Sequence, residues 1–383
     1  MAGLYIHIPF CESRCIYCGF YSTTTLSLRD KYVDAICREM QLRPITPYIG
    51  EGEKISTIYL GGGTPSQLTN HQIIQIFNGI QQAYSTHIAP IEDMEITVEC
   101  NPDDITEDFC KTISQLPINR ISMGVQTFQD SRLRFLHRRH NASDIPTAIK
   151  RLRNIGIHNI SIDLMFGFPQ ETLEEWEYDI QQTLNLGVEH ISAYSLMYEE
   201  GTVLYQLLKQ QKCKEIDEEL SRKMYDTLID TLRQAGYEHY EISNFALPGY
   251  YSRHNSSYWH ETPYIGIGAA AHSYNKNTRS WNIADIRKYM DSILLAEKLP
   301  AEIETLDINT RYNDLITTAL RTKEGINLPK MRKEYGEKLF KQLMKDAQQE
   351  IERGLMKNSG TNLSLTREGL YISDDIMSNF MIV

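Results

Sequence analysis

LYIHIPFCESRCIYC, Leu4 to Cys18, is a β-rich run followed by a proline and then three cysteines within eight positions. The chain has seven cysteines, so one loop gathers three of them, and Phe20 stands two positions after Cys18, where a fourth would continue the series. Proline fixes its own φ and leaves the ladder, so Pro9 turns the chain out of a first strand and C-x3-C-x2-C sets three thiols on the loop that follows. Thiolates so spaced can converge on one metal centre. A structural zinc ion takes four protein ligands, usually from two close pairs; here no second pair follows, and His7, four residues before Cys11, is the nearest candidate. An iron–sulfur cluster normally takes four cysteines, so a cluster held by three keeps one iron for another ligand. Cys37, Cys100, Cys110 and Cys213 are scattered and read as small buried side chains.

Outward from that loop, short β-rich runs alternate with helix-length amphipathic segments, the pattern of βα units on a parallel sheet. The runs are LYIHI (4–8), STIYL (56–60), EITVE (95–99), RISMGV (120–125), NISIDLM (159–165) and HISAYSL (190–196). Between them SLRDKYVDAICREM (27–40), TNHQIIQIFNGIQQAY (69–84) and TLEEWEYDIQQTL (172–184) are expected helices, with Thr69 or Asn70 and Thr172 as N-caps. Six units are too few for a closed eight-stranded barrel and predict an open, partial (β/α)6 barrel over residues 1–245. GGGTPS, CNPDD, Gln126 with Phe128, and GFPQET each follow a run directly. They fall at strand carboxyl ends, the face on which parallel barrels assemble their sites.

Residues 246–294 are expected to form a connecting segment. From 295 to 383 the alternation gives way to short charged helical stretches, LPKMRKEYG, KDAQQEIERGL and LSLTREGLYISDDIMSNFM. These predict a smaller, mainly helical C-terminal domain of winged-helix type.

A length of 383 residues exceeds what one core usually supports. The net charge of -11 argues against a nucleic-acid footprint, although LRFLHRRH (133–140) is locally basic. No apolar run is long enough to cross a bilayer, and MAGLYIHIPF lacks the charged start and long apolar core of a secretion signal. The expected location is the cytoplasm, where close cysteines are more often ligands than disulfides.

CESRCIYC resembles the cluster motif of the radical S-adenosylmethionine superfamily, and Tyr17 matches the aromatic residue usual before the last cysteine. YIHIPFC, GGGTPS, ECNPDD, SMGVQTF, LHRRH, DLMFGFPQET and SAYSL, in that order over nearly the whole chain, are similar to the oxygen-independent coproporphyrinogen III oxidase family. The resemblance implies a [4Fe-4S] cluster on Cys11, Cys15 and Cys18, with S-adenosylmethionine on the open iron. It also implies cofactor contacts from Tyr5, Tyr17, Gly62, Gly63, Thr64, Glu99, Gln126, Arg138 and Asp163. Glycines let backbone approach a ligand closely, so their carbonyls and the Thr64 hydroxyl are expected at the methionine ammonium, and the Glu99 carboxylate at the ammonium or ribose. The plainer readings are a tight turn for the glycines, a solvated helix face for Arg138 or its neighbour Arg139, and a cap for Asp163.

Two features choose a branch. The decarboxylating oxidases carry a fourth cysteine where this chain has Phe20, and RHNSSYWHETPYIGIGAAAHSY (253–274) holds an H-N-x-x-Y-W motif typical of the HemW-type heme chaperones. Heme iron takes an imidazole ligand and a porphyrin face takes aromatic packing, so His254, Asn255, Tyr258 and Trp259 are the candidate heme residues, with His260 and His272 as competitors. On residue types alone, the aromatics read better as knitting barrel to C-terminal domain around a hydrogen-bonded core histidine; the motif match reverses that order. The branch implies heme, acceptor heme proteins of the respiratory chain, at most peripheral membrane contact, and a chain compatible with a homodimer. The alternative is a radical enzyme such as a coproporphyrinogen III decarboxylase, working through a 5'-deoxyadenosyl radical.

Overall fold

The computed structural model of the chain describes residues 2–50 and 52–382. Six strands lie within a residue or two of the β-rich runs: β1 (Ala2–Ile8), β2 (Ile55–Gly62), β3 (Glu95–Cys100), β4 (Arg120–Gln126), β5 (Asn159–Phe166) and β6 (His190–Ser195). Neighbours pair in parallel in that order. β1 to β4 are buried almost throughout, as strands are that carry helices on one face and a barrel interior on the other. Thr69 and Thr172 cap the helices Asn70–Tyr84 and Leu173–Asn185, each in a capping box closed by Gln72 or Glu175. Such a cap stabilises a helix by about 1 kcal/mol.

The expected connector, residues 246–294, is instead woven into the same sheet. At one edge β7 (Glu238–Glu241) pairs antiparallel with β8 (Asn244–Ala246), which pairs antiparallel with β6, while β9 (Tyr264–Ile267), β10 (His272–Tyr274), β11 (Thr278–Asn282) and β12 (Ala301–Thr305) extend the other. β9 runs parallel to β1. The physical reason is the edge: β1 is buried along nearly its whole length and would otherwise present unpaired N–H and C=O groups there. β9 is only four residues long and contains Gly266, too short to show a periodicity in sequence.

One hydrophobic core runs under the sheet from Ala2 to Ile293, and a second, from Tyr312 to Phe380, belongs to the C-terminal unit. That unit is mainly helical, with a small antiparallel sheet of β13 (Ile326–Asn327), β14 (Met356–Asn358) and β15 (Asn362–Leu365). Its long helical segment, Leu328–Glu352, breaks at Gly336, whose φ of 83° suits glycine, at the end of LPKMRKEYG. Arg367 binds Asp226 and Asp230, and Tyr335 and Lys330 bind Glu261, tying the unit to the barrel. Among the described residues no helix is long and apolar enough to cross a membrane.

Candidate functional site

A cavity of about 750 Å³ opens at the carboxyl ends of the parallel strands. Cys11, Cys15 and Cys18 line it, all with free thiols. Their loop is pinned along its length. Phe10 bridges to Thr23, and Gly63 N–H and Thr64 N–H donate to the carbonyls of Ile8 (2.9 Å) and Phe10 (2.8 Å). Ile16 is buried in a small core of its own with Leu136, Met165, Phe168, Leu196 and Leu204. That satellite core anchors a loop of polar and cysteine residues that has little apolar surface of its own.

The Gly-Gly-Gly-Thr loop does more than turn. A Cβ on Gly63 would lie 2.8 Å from the Pro9 carbonyl carbon, and one on Gly62, where φ is +112°, would lie 2.4 Å from the His7 ring. Only glycine lets β2 close onto the cysteine loop this tightly. The Thr64 hydroxyl is 3.5 Å from the Cys11 sulfur, so it faces the thiols as well as the cavity.

Glu99 accepts from the Tyr59 hydroxyl at 2.7 Å and from Gly62 N–H at 3.0 Å. Burial, opposed by these two bonds, raises its carboxyl to about 7. Asp163 faces the same cavity and is raised by burial to about 6. Gln126 is held at φ 69°, in the left-handed region, directly after a bulge in the pairing of β4 with β5 that sets Gly124 opposite Asp163 and Gln126 opposite Leu164. Bulges re-aim side chains, and strained non-glycine residues gather at functional sites; Gln126 is buried and lines the cavity. Tyr5 and Tyr17 line it too, Tyr5 with its hydroxyl 3.0 Å from His7 Nδ1.

The two adjacent arginines part company. Arg138 reaches inward, donating to the Gly124 carbonyl and the Asn101 side chain at 2.6 Å each and lying 3.6 Å from the Cys15 sulfur. Arg139 turns out to Glu12, Asp103 and Asp104. Tyr59 and Asn101, which hold Glu99 and Arg138, were not singled out from sequence. Asn101 sits inside the quoted ECNPDD motif, whereas Tyr59 looked like one more apolar strand residue.

The H-N-x-x-Y-W segment forms the helix Arg253–Trp259, which plugs the amino-terminal end of the barrel. Glu95, the first residue of β3, accepts from Arg253 N–H and His254 N–H at 2.8 Å each. His254 is 0% exposed, with Nδ1 2.8 Å from the Thr57 hydroxyl, Nε2 2.8 Å from the Tyr258 hydroxyl, and its ring stacked 5.0 Å from Tyr59. Burial, with Arg120 nearby, lowers it to about 3. His254 is thus buried in the barrel floor with both ring nitrogens engaged. Trp259 does not line the cavity either; its ring lies 5.1 Å beneath the Arg321 guanidinium, knitting barrel to C-terminal unit. Asn255 and Tyr258 do reach the cavity, from below.

The residues present suit a cluster with a bound cofactor. A single zinc ion needs every sulfur within about 2.3 Å of itself, and among the described residues no three His, Cys, Asp or Glu side chains converge in that way. The three sulfurs of a cubane each hold a different iron, so three thiols around one cavity fit it better. Beside them stand backbone laid bare by glycine and two carboxyls for an ammonium and hydroxyls.

Residues 5–182 match the family model of the radical SAM superfamily and residues 306–372 that of the HemN C-terminal domain. Among solved structures, coproporphyrinogen III oxidase (HemN) from Escherichia coli superposes with a TM-score of 0.83 at 21% identity, covering 99% of this chain and 89% of that one. The fold and the three-cysteine cavity define a radical S-adenosylmethionine protein, a class that implies a [4Fe-4S] cluster and S-adenosylmethionine. The chain is 36% identical to the heme chaperone HemW of Bacillus subtilis, over 100% of its own length and 99% of the relative's. Against HemW of Lactococcus lactis subsp. lactis the figures are 31%, 99% and 97%, and against the mitochondrial radical S-adenosyl methionine domain-containing protein 1 of Bos taurus 28%, 99% and 87%. The chain belongs to the HemW family.

Proposed function

We propose that the protein is a heme chaperone, taking up heme and passing it to acceptor heme proteins such as those of a respiratory chain. The observation that carries this reading is a likeness to HemW chaperones that runs end to end, 36% over 100% of the chain. Phe20 supports it from the other side, standing where the decarboxylating relatives have a fourth cysteine.

Cys11, Cys15 and Cys18 would hold the cluster, and S-adenosylmethionine on its open iron would supply a reductively released carbon radical. The chain's own residues bind and orient. Glu99 and Asp163 offer carboxylates to an ammonium and to ribose hydroxyls, Gly62 and Gly63 offer bare backbone, and Gln126, Tyr5 and Tyr17 frame the remainder. Arg138 sets a positive charge 3.6 Å from the Cys15 sulfur.

The test uses the full chain, reconstituted anaerobically with iron and sulfide. One sample receives heme, and another receives coproporphyrinogen III with S-adenosylmethionine and a reductant. Stoichiometric heme uptake, transfer to an apo-cytochrome and no decarboxylated product are expected. Turnover of the porphyrinogen, or no heme uptake, would sink the proposal.

A further inference from the structure

We propose that S-adenosylmethionine and heme oppose one another on this chain, with Tyr258 and Tyr59 as the link: a filled cavity holds the Tyr258 hydroxyl on the His254 imidazole and closes that ring to iron, and heme binding opens it. The linkage regulates the heme site and rests on the chaperone reading above, with His254 the heme residue that the H-N-x-x-Y-W resemblance implies. His254 does not itself line the cavity, yet its three aromatic neighbours among the described residues, Tyr5, Tyr59 and Tyr258, all do. Their ring centroids lie 6.4, 5.0 and 5.3 Å from that of the imidazole.

Two of these tyrosines are engaged at both ends. Tyr59 donates its hydroxyl to Glu99 at 2.7 Å, and its ring stacks on His254 at an angle of 24°. Tyr258 lines the cavity, and its hydroxyl is 2.8 Å from His254 Nε2. On the far side of the imidazole, Nδ1 lies 2.8 Å from the Thr57 hydroxyl. An imidazole that ligates iron through one nitrogen commonly donates its other N–H to an oxygen. With Nδ1–H given to Thr57, the remaining lone pair is on Nε2, and it can meet the Tyr258 O–H or an iron but not both. Thr57 orients the ring in either state, and Tyr258 caps it in one.

The barrel floor is held from both sides. From below, Glu95 accepts from the backbone of Arg253 and His254, and the Arg253 guanidinium donates to the Asp93 carbonyl at 2.7 Å. Iron reaches a ring that is fully buried only when the helix Arg253–Trp259 shifts. Gly249, four residues before that helix, stands at φ 89° with open space where a Cβ would lie, and gives the segment a pivot. From above, Asn255 and Tyr258 reach the cavity from the same helix, and Glu99 is tied to the floor through Tyr59. A cofactor that packs on Asn255 and Tyr258 and takes up Glu99 makes those contacts together only while the helix is seated, so it favours the closed floor. A ligand shifts such an equilibrium by its difference in affinity for the two states, and heme affinity falls by the corresponding factor. A carrier that must let go of its cargo thereby has a release signal that breaks no bond in the cofactor.

The test measures both affinities on the full, cluster-loaded chain under anaerobic conditions without a reductant, so that S-adenosylmethionine stays intact. Heme is titrated and the retained fraction read as pyridine hemochrome after gel filtration; S-adenosylmethionine is followed by equilibrium dialysis. In the parent chain, saturating S-adenosylmethionine should lower heme affinity about fivefold or more, and saturating heme should lower S-adenosylmethionine affinity by the same factor. Tyr258→Phe keeps the ring and removes the cap. It should raise heme affinity in the absence of the cofactor about threefold to tenfold and shrink the cofactor's effect below about twofold. Tyr59→Phe, cut off from Glu99, should shrink that effect as well. Heme affinity that S-adenosylmethionine leaves unchanged or raises would overturn the inference. So would a linkage undiminished in Tyr258→Phe, the mark of two ligands competing for one site. If His254→Ala keeps parental heme affinity per folded molecule, heme binds elsewhere: the chaperone reading survives and this linkage does not. A parental chain that takes up no heme brings down the chaperone reading first, and this inference with it.

Discussion

The cysteine loop, CESRCIYC, and the helix RHNSSYW carry the same kind of promise in sequence, a cluster of metal-competent and aromatic side chains at close spacing. In the fold they are opposites. The loop presents its thiols to a cavity and is held by apolar residues behind it, chiefly Ile16. The helix turns its histidine into the barrel floor, where Thr57, Tyr258 and Tyr59 engage it. Whether a polar atom meets a cavity or a neighbouring side chain is decided by the fold. Spacing says nothing about that.

The largest expected effect falls on the loop. Cys15→Ser should abolish the bound cluster, read as loss of iron, sulfide and visible absorbance after anaerobic reconstitution, with the circular dichroism spectrum unchanged. A cluster that survives would mean that the thiols of this loop are not its ligands.

Next comes the helix. His254→Ala leaves the Thr57 and Tyr258 hydroxyls without their buried partner and opens a void, at a cost of about 2–4 kcal/mol in urea unfolding. Heme affinity per folded molecule should fall as well, about tenfold or more, with cluster content intact. Stability equal to the parent's would reverse the contrast between the two segments.

A pH dependence sharpens the picture of the cavity. Glu99 titrates near 7 and Asp163 near 6, both held up chiefly by burial, with Arg120 pulling each down and Asp163 pushing Glu99 further up. Because the fold holds these protons to higher pH than the unfolded chain does, the cofactor-free protein gains stability from them at acid pH. It loses that contribution as pH rises from about 4 through 7. Binding of a cationic ammonium runs the other way: S-adenosylmethionine affinity in equilibrium dialysis should rise several-fold between about pH 6 and 8, and Glu99→Gln should flatten the rise. An unchanged profile in that variant would remove Glu99 from the cofactor site.

The smallest effect belongs to Arg139, whose side chain is 24% exposed among Glu12, Asp103 and Asp104. Arg139→Ala should cost no more than about 1 kcal/mol and leave cluster content intact. Cluster loss on the scale of Cys15→Ser would show that the outer arginine, rather than Arg138, supports the loop.

Much of the architecture was legible along the chain. The six parallel strands and the capped helices follow from local patterns, a period of two or continuous burial for strands and Thr-x-x-Gln or Thr-x-x-Glu for helix starts. The cavity's lining was legible as well, because each motif follows a strand directly and parallel strands in a barrel all end on one face. The failures share a cause. β9 carries too short a signal to show as a strand, and it exists because β1 needs a partner on its open edge. Tyr59 and Asn101 matter through what they hold, Glu99 and Arg138, which lie 40 and 37 residues away in sequence.

The sequence by itself determined which residues have the chemistry: three thiols with no fourth, bare glycines, and carboxylates at strand ends. Those are properties of side-chain type and of local periodicity. Tertiary structure alone decided which imidazole is enclosed and which faces the cavity. His254 and His137 are the same residue, but one lies inside a barrel whose polar atoms must find partners away from water, and the other on a turn of positive φ at the cavity rim, where its ring has no polar partner among the described residues.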